Sequence, residues 1–403
     1  MQTLALFGGQ PLRRDPFAAW PVFDDTERSG VMEVLESGSW GGYNPKVKEF
    51  ESRFAAAHGA KYGISACNGT LTLESALLAA GVQPRDEVIV PPVTFVATAT
   101  AVLRVQAVPV FADIEPSTCN LNPDRAEAAI TPLTKAIIPV HFAGHPADMD
   151  ALCGIARKHN LTIIEDCAHA HGAEWRGQKV GTFGEFGSFS FQQSKNMTAG
   201  EGGMLITNRP DLAERAWAFA NQGRSPGGAW YEHDSLGTNL RLTGFQAAIL
   251  LAQLVRLPDQ LGRRARNADY LTARLLESGF LLPPAIDERV TRHGLYLYLL
   301  RLNRKLLPDV SKDQFVRALT AEGIPGASSY PYPLYRNKLF NSHAYSATDC
   351  LEAERACADT FWLSHEVLLA ECSDLDDVVR AVEKVGSFAA DLSASITDFC
   401  RPL

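Results

Sequence analysis

The chain has little of what small secreted or metal-binding proteins depend on. Its 403 residues hold eight cysteines, at 67, 119, 153, 167, 350, 357, 372 and 400, and none forms a C-x-x-C pair. In a chain of this length that argues against a disulfide framework and against a cysteine zinc site. Positive charge is in deficit: 38 Lys and Arg against 46 Asp and Glu leave a formal net charge of −8. Neither nucleic acid nor an anionic membrane is favoured by that balance. No apolar run approaches the roughly 20 residues of a membrane helix. The start, "MQTLALFGGQPLRRDPF", lacks a basic opening, and its apolar stretch is too short for a signal peptide. No fixed-period repeat or low-complexity segment is present. The expectation is a reduced, cytoplasmic protein of enzyme size.

What is present is alternation. Short apolar runs that read as strands recur at 61–67, 86–91, 107–113, 135–141, 161–166, 187–191 and 203–207, with helical stretches between them. Thr94 is placed to cap the helix "FVATATAVLR", and Asp148 the helix over 148–160. This predicts an α/β domain over 1–245, with a mostly parallel seven-stranded sheet flanked by helices. After about residue 243 the pattern changes. A long helical stretch follows, expected to break near Pro258. A strand over 293–302 and helices near 311–321, 350–359 and 374–391 predict a smaller α+β domain over 246–403. The run "GRRAR" at 262–266 reads as a solvated helix face.

In open α/β sheets ligands sit outside the carboxyl ends of the strands. Asp166 ends "LTIIED". A carboxylate there costs desolvation unless it has a partner. It is either a cap or loop hydrogen bond, or a carboxylate facing a protonated heterocyclic nitrogen. Ser190, near a second strand end, is a turn hydroxyl or a phosphate ligand. "NGT" at 68–70 is a turn, or a helix start whose free N–H groups hold a phosphate. Phe95 is core, or a ring face offered to a flat ligand. Lys195 stands between an apolar strand-like run and "AGEGG". A surface lysine needs no such setting. As a neutral amine it is a nucleophile, and the glycines let the backbone turn tightly and come close. Together these are the parts that pyridoxal phosphate requires. His141 and His145, with Asp148 and Asp150 nearby, would suggest a metal pair on a helix. Gly144 and Pro146 break any helix there, and no metal is expected.

At this point the sequence resembles a known family. "NGTLTLESALLAAG", "IIEDCAHAHGAEWRG", "GSFSFQQSKNMTAGEGGMLIT" and "GTNLRLTGFQAA" stand in the order found in the DegT/DnrJ/StrS-type sugar and cyclitol aminotransferases, and the likeness spans residues 68–248. These are fold-type I pyridoxal phosphate enzymes. The resemblance implies that Lys195 is the Schiff-base lysine and Asp166 the partner of the pyridine nitrogen. It puts His169 at the cofactor's O3′ side and Phe95 over its ring. Thr70, with Gly69 and Leu71, matches the phosphate-binding turn, and Ser190 the phosphate serine. Asn239 matches an asparagine that reaches the phosphate of the neighbouring subunit, which implies a homodimer with shared active sites. "FWLSHEVLL" at 361–369 resembles the W-L-P-H stretch of cyclitol and aminobenzoate members, with Ser364 in place of proline. The implied activity is transfer of an amino group from L-glutamine or L-glutamate to a keto-cyclitol or keto-sugar. Alternatives are an aminohydroxybenzoate synthase-like lyase, a nucleotide-keto-sugar aminotransferase and a non-enzymatic regulator.

Overall fold

All seven apolar runs between 61 and 207 form strands of one sheet in the computed structural model, which describes residues 3–229 and 231–395; Cys400 lies outside the described residues. The strands lie in the order Tyr62–Ala66, Gly203–Thr207, Phe186–Ser190, Thr162–Asp166, Thr134–Ile137, Glu87–Val90 and Val108–Phe111. Only Gly203–Thr207 runs against its neighbours. A two-residue strand from the C-terminal half, Ser346–Ala347, pairs in parallel with Val108–Phe111 and adds an eighth strand at that edge.

Helices cover both faces, and the alternation of side chains shows it. Val88 and Val90 join one core cluster while Ile89 joins another, and Leu205 is separated in the same way from Met204 and Ile206. A strand buried on both faces needs apolar residues at every position, so it reads as a continuous run.

Asp148 caps the helix Met149–His159, its carboxylate accepting from the Ala151 N–H at 3.1 Å. Thr94 does not cap as expected. The helix starts at Ala97 after Val96 with no side-chain cap, and the Thr94 hydroxyl pairs instead with Thr98 Oγ1 at 3.1 Å. Pro258 does not break the long helix either, which runs unbroken over Gly244–Ser278. An interior proline costs about 3 kcal/mol, but one face of this helix is buried along its length. Leu250, Leu257 and Leu261 pack under the large sheet, and Ala268, Leu271 and Leu275 pack into a second core. That second core lies on an antiparallel sheet ordered Leu281–Leu282, Leu297–Leu302, Thr360–Ser364, Gly326–Ser328. The helices Lys312–Ala321 and Cys372–Ser387 fill it with Phe315, Leu319, Val378 and Val382.

"GRRAR" is not a uniformly solvated face, because Arg264 is 0% exposed. It falls at helical spacing with the buried Leu257, Leu261, Ala268 and Leu271, so the core-facing stripe carries it inward.

Candidate active site

The carboxyl ends of the large sheet open on a cavity of about 630 Å³, lined by Gly69, Thr70, Phe95, Asp166, His169, Ser190 and Lys195. Asp166 and Ser190 are the last residues of adjacent strands. The helix Gly69–Ala79 begins just past a third strand end. Two glycines allow these pieces to meet. A Cβ on Gly69 would stand 2.8 Å from Ser190 Cβ, and one on Gly203 would stand 2.5 Å from the Asn68 carbonyl. Neither contact is tolerable, so only glycine lets the helix start and the strand end close into one concave wall.

Two of the expected residues are not brought there. Leu71 packs against the core, and its N–H donates to Asn68 Oδ1 at 3.0 Å, closing the helix cap. Asn239 is exposed and stays outside the cavity of its own chain, with Oδ1 accepting from the Arg241 N–H at 3.2 Å.

The electrostatics favour chemistry. Asp166 is 5% exposed and accepts from Thr98 Oγ1 at 2.9 Å and from the Ala168 N–H at 3.1 Å. Burial pushes its carboxyl pKa up, and the two hydrogen bonds and the Lys195 charge only partly oppose that. Among the described residues it forms no ion pair. His169 is buried, and its Nδ1 accepts from the Ala143 N–H at 3.3 Å. Its proton is therefore on Nε2, and burial holds the ring neutral. Lys195 is only partly buried by area because it opens on the cavity. Its amine is nevertheless desolvated enough to bring the pKa down to about 8, with Asp166 pulling the other way. The amine rests 4.2 Å from the centre of the Tyr296 ring, which in turn packs against His169 with centroids 4.3 Å apart. Phe95 lines the same cavity yet is 57% exposed, an apolar ring open to that cavity.

Sequence reasoning missed Thr98, Tyr296, Tyr330 and Trp362, which also line the cavity. The last three come from the C-terminal half, where nothing in the strand-end argument points. Thr98 had a signal: it is four residues after Thr94, and a hydroxyl on an early helical turn beside a strand-end carboxylate is a donor in waiting.

Residues 21–383 match the DegT/DnrJ/EryC1/StrS aminotransferase family. The chain belongs to that family. This aminotransferase is 40% identical over 413 residues to the L-glutamine:scyllo-inosose aminotransferase of Streptomyces griseus, covering 95% of this chain and 97% of that one. The crystal structure of 3-amino-5-hydroxybenzoic acid synthase matches with a TM-score of 0.87 and 36% identity over 93% of this chain and 99% of that one. The PLP-form of Spr1654 from Streptococcus pneumoniae matches with a TM-score of 0.84 and 27% identity over 94% of this chain and 100% of that one. Aminotransferases of this family depend on pyridoxal phosphate, and this one is such an enzyme.

Proposed function

We propose that this aminotransferase moves the amino group of L-glutamine, or of L-glutamate, onto the ketone of a keto-cyclitol. The observation that carries the reading is a desolvated lysine amine and a buried carboxylate, without an ion pair among the described residues, lining one cavity at the strand ends. Pyridoxal phosphate fits that cavity. A buried carboxylate whose pKa burial pushes up suits a protonated ring nitrogen. The wall of Gly69, Thr70 and Ser190 suits a phosphate. The exposed face of Phe95 suits a flat ring.

When bound, pyridoxal phosphate supplies an aldehyde carbon for the amino group and a ring that takes up the electrons of a broken C–H bond. The protein supplies the rest. Lys195 Nζ would take the proton from the amino donor's Cα, as base, and deliver it, as acid, to the carbon that receives the amino group. Asp166 would hold a proton on the ring nitrogen. His169 Nε2–H is a donor for an oxygen at the ring's edge.

The lining favours a neutral acceptor. Among its described residues Lys195 is the one cation, while Asp166 and Glu201 are acidic. A nucleotide diphosphate would find no further cation among the described residues of this lining to meet its charge. A keto-cyclitol presents hydroxyls for Gln192, Ser194 and Glu201, and an apolar ring face for Trp362. The S. griseus relative bears the name of an enzyme for such a ketone. The test is an assay with scyllo-inosose-like ketones, 3-keto-hexoses and nucleotide keto-sugars, each with glutamine and glutamate. An aminocyclitol is expected. Turnover of nucleotide sugars alone would overturn the acceptor, and an aromatised product would make the protein a lyase.

The amine's pKa gives a second expected result. Only neutral Nζ attacks an aldehyde. With a pKa of about 8, covalent capture of the cofactor by the apoenzyme should rise about tenfold per unit up to pH 7 and level off above pH 9. Borohydride trapping followed by mass spectrometry of the Lys195 peptide reads this. A rise that continues through pH 10 would mean an ordinary lysine.

A cytoplasmic homodimer with shared sites belongs to the same proposal, as does the division into 1–245 and 246–403. No helix among the described residues is long and apolar enough to cross a membrane. Asn239, idle toward its own cavity, is free to serve another. Mixed dimers of Lys195→Ala and Asn239→Asp should then recover activity after subunit exchange, because one site escapes both defects. No recovery despite demonstrated exchange would confine Asn239 to its own chain.

A further inference from the structure

The loop that carries Lys195 is fastened by side chains from distant parts of the chain. Trp20 Nε1–H donates to the Gln193 carbonyl at 3.0 Å. His365 Nε2 lies 2.9 Å from the Ser194 carbonyl. The Ser194 and Tyr296 hydroxyls share a hydrogen bond of 2.8 Å. The two peptide carbonyls just before Lys195 are thus both held from outside the large sheet. None of Trp20, Arg264 and His365 lines the cavity.

His365 can hold the Ser194 carbonyl in one tautomer only. Arg264 Nη2 reaches His365 Nδ1 at 3.0 Å. A guanidinium has donors and no acceptor, so Nδ1 must accept and the proton must sit on Nε2. That is the nitrogen facing Ser194. Burial, with the Arg264 charge second, pulls the imidazole pKa down to about 3, so the ring is neutral at any working pH. The arrangement is costly. Arg264 is 0% exposed, His365 is 1% exposed, and Arg264 Nε and Nη1 have no hydrogen-bond partner. Among the described residues Arg264 forms no ion pair; the Trp20 ring covers it with 5.4 Å from guanidinium carbon to ring centre. A leucine would satisfy packing at this point of the helix without burying a charge.

We propose that His365, locked in its Nε2–H tautomer by Arg264, is a positioning residue that fixes the Ser194 peptide and with it the direction in which Lys195 enters the cavity. The inference rests on Lys195 being the reacting amine. Misplacing a reacting group by about 1 Å costs on the order of a hundredfold in rate.

The test compares His365→Leu with His365→Gln. Glutamine can accept from Arg264 through its oxygen and donate to Ser194 through its nitrogen. Leucine does neither. In the apoenzyme, hydrogen exchange of the 193–197 amides should be at least about tenfold faster in the leucine variant, with the large sheet unchanged. In the holoenzyme its kcat should fall about ten- to hundredfold while the donor KM moves less than about threefold, and the glutamine variant should recover most of the loss. Trp20→Phe, a milder change, should loosen the same amides if the leucine variant does not fold. Unchanged exchange at 193–197 in these variants would overturn the clamp whatever Lys195 does. Faster exchange with unchanged kcat would overturn its link to Lys195, and loss of kcat in Lys195→Ala separates that result from an error about the lysine itself.

Discussion

Lys195→Ala protein will fold, bind pyridoxal phosphate without a covalent bond, and turn over at least about 10⁴-fold more slowly than wild type. A positioned general base is worth about 10²–10⁴ on its own, and on the proposed reading the same amine is the nucleophile that holds the cofactor. At about 1.36 kcal/mol per factor of ten, the loss is about 5 kcal/mol of barrier or more. The fold should not suffer. The amine's contact in the apoenzyme is the Tyr296 ring, and its pKa is depressed to about 8 by burial. Between the ordinary lysine value of about 10.4 and about 8 the folded chain binds fewer protons than the unfolded one, so the lysine's opposition to the folded state grows as pH falls through that window and is full below about pH 8. Alanine removes that opposition, and the apo variant should melt no lower than wild type at pH 6. Single-turnover amine formation, visible absorbance and a thermal scan measure the three claims. Turnover within tenfold of wild type would remove Lys195 from the chemistry.

The large sheet was legible because its strands are buried on both faces and so are written as unbroken apolar runs. The site was legible where the strand-end rule applies. Asp166 and Ser190 close adjacent strands, and the rule selects them before any ligand is considered. Legibility failed where a residue's meaning depends on another part of the chain. Trp362 lies on the second sheet and Tyr296 just before one of its strands, and both meet the cavity only through tertiary packing. Pro258 reads as a break because local propensity disfavours it, yet leucines buried on both sides of it outweigh that cost. Arg264 reads as solvent-facing by type, although its spacing from Leu257, Leu261 and Ala268 puts it on the buried stripe. The residue type misled and the period did not. Asn239 is the limiting case, since its proposed partner belongs to a second copy of the chain.

Asp166→Asn should act in opposite directions on the apoenzyme and on the holoenzyme. In the apoenzyme the carboxylate is buried and forms no ion pair among the described residues, and its pKa is raised. From the unfolded value near 3.9 up to the raised folded value, the folded chain binds more protons than the unfolded one. Stability therefore falls as pH rises through that window and stays lower at neutral pH. Asparagine carries no charge and removes the loss. It also keeps the hydrogen bonds. Its oxygen can accept from the Ala168 N–H, and its nitrogen can donate to Thr98, whose hydroxyl can turn toward Thr94 instead. The apo variant should therefore melt higher than wild type at pH 7 and equal to it near pH 3. With pyridoxal phosphate the balance inverts. On the proposed reading the carboxylate then faces the ring's cation, and losing one partner of a buried pair costs about 3–5 kcal/mol. The cofactor should then raise the melting temperature less in the variant than in wild type. Without a carboxylate to hold the ring proton, kcat should fall by about 10²–10³, or about 3–4 kcal/mol of barrier. Thermal scans of both forms at pH 3 and 7, with kcat on the variant, read all of this. A variant within threefold of wild type would take Asp166 out of the reaction, and an apo form that melts lower at pH 7 would mean that the carboxylate is already paired without the cofactor.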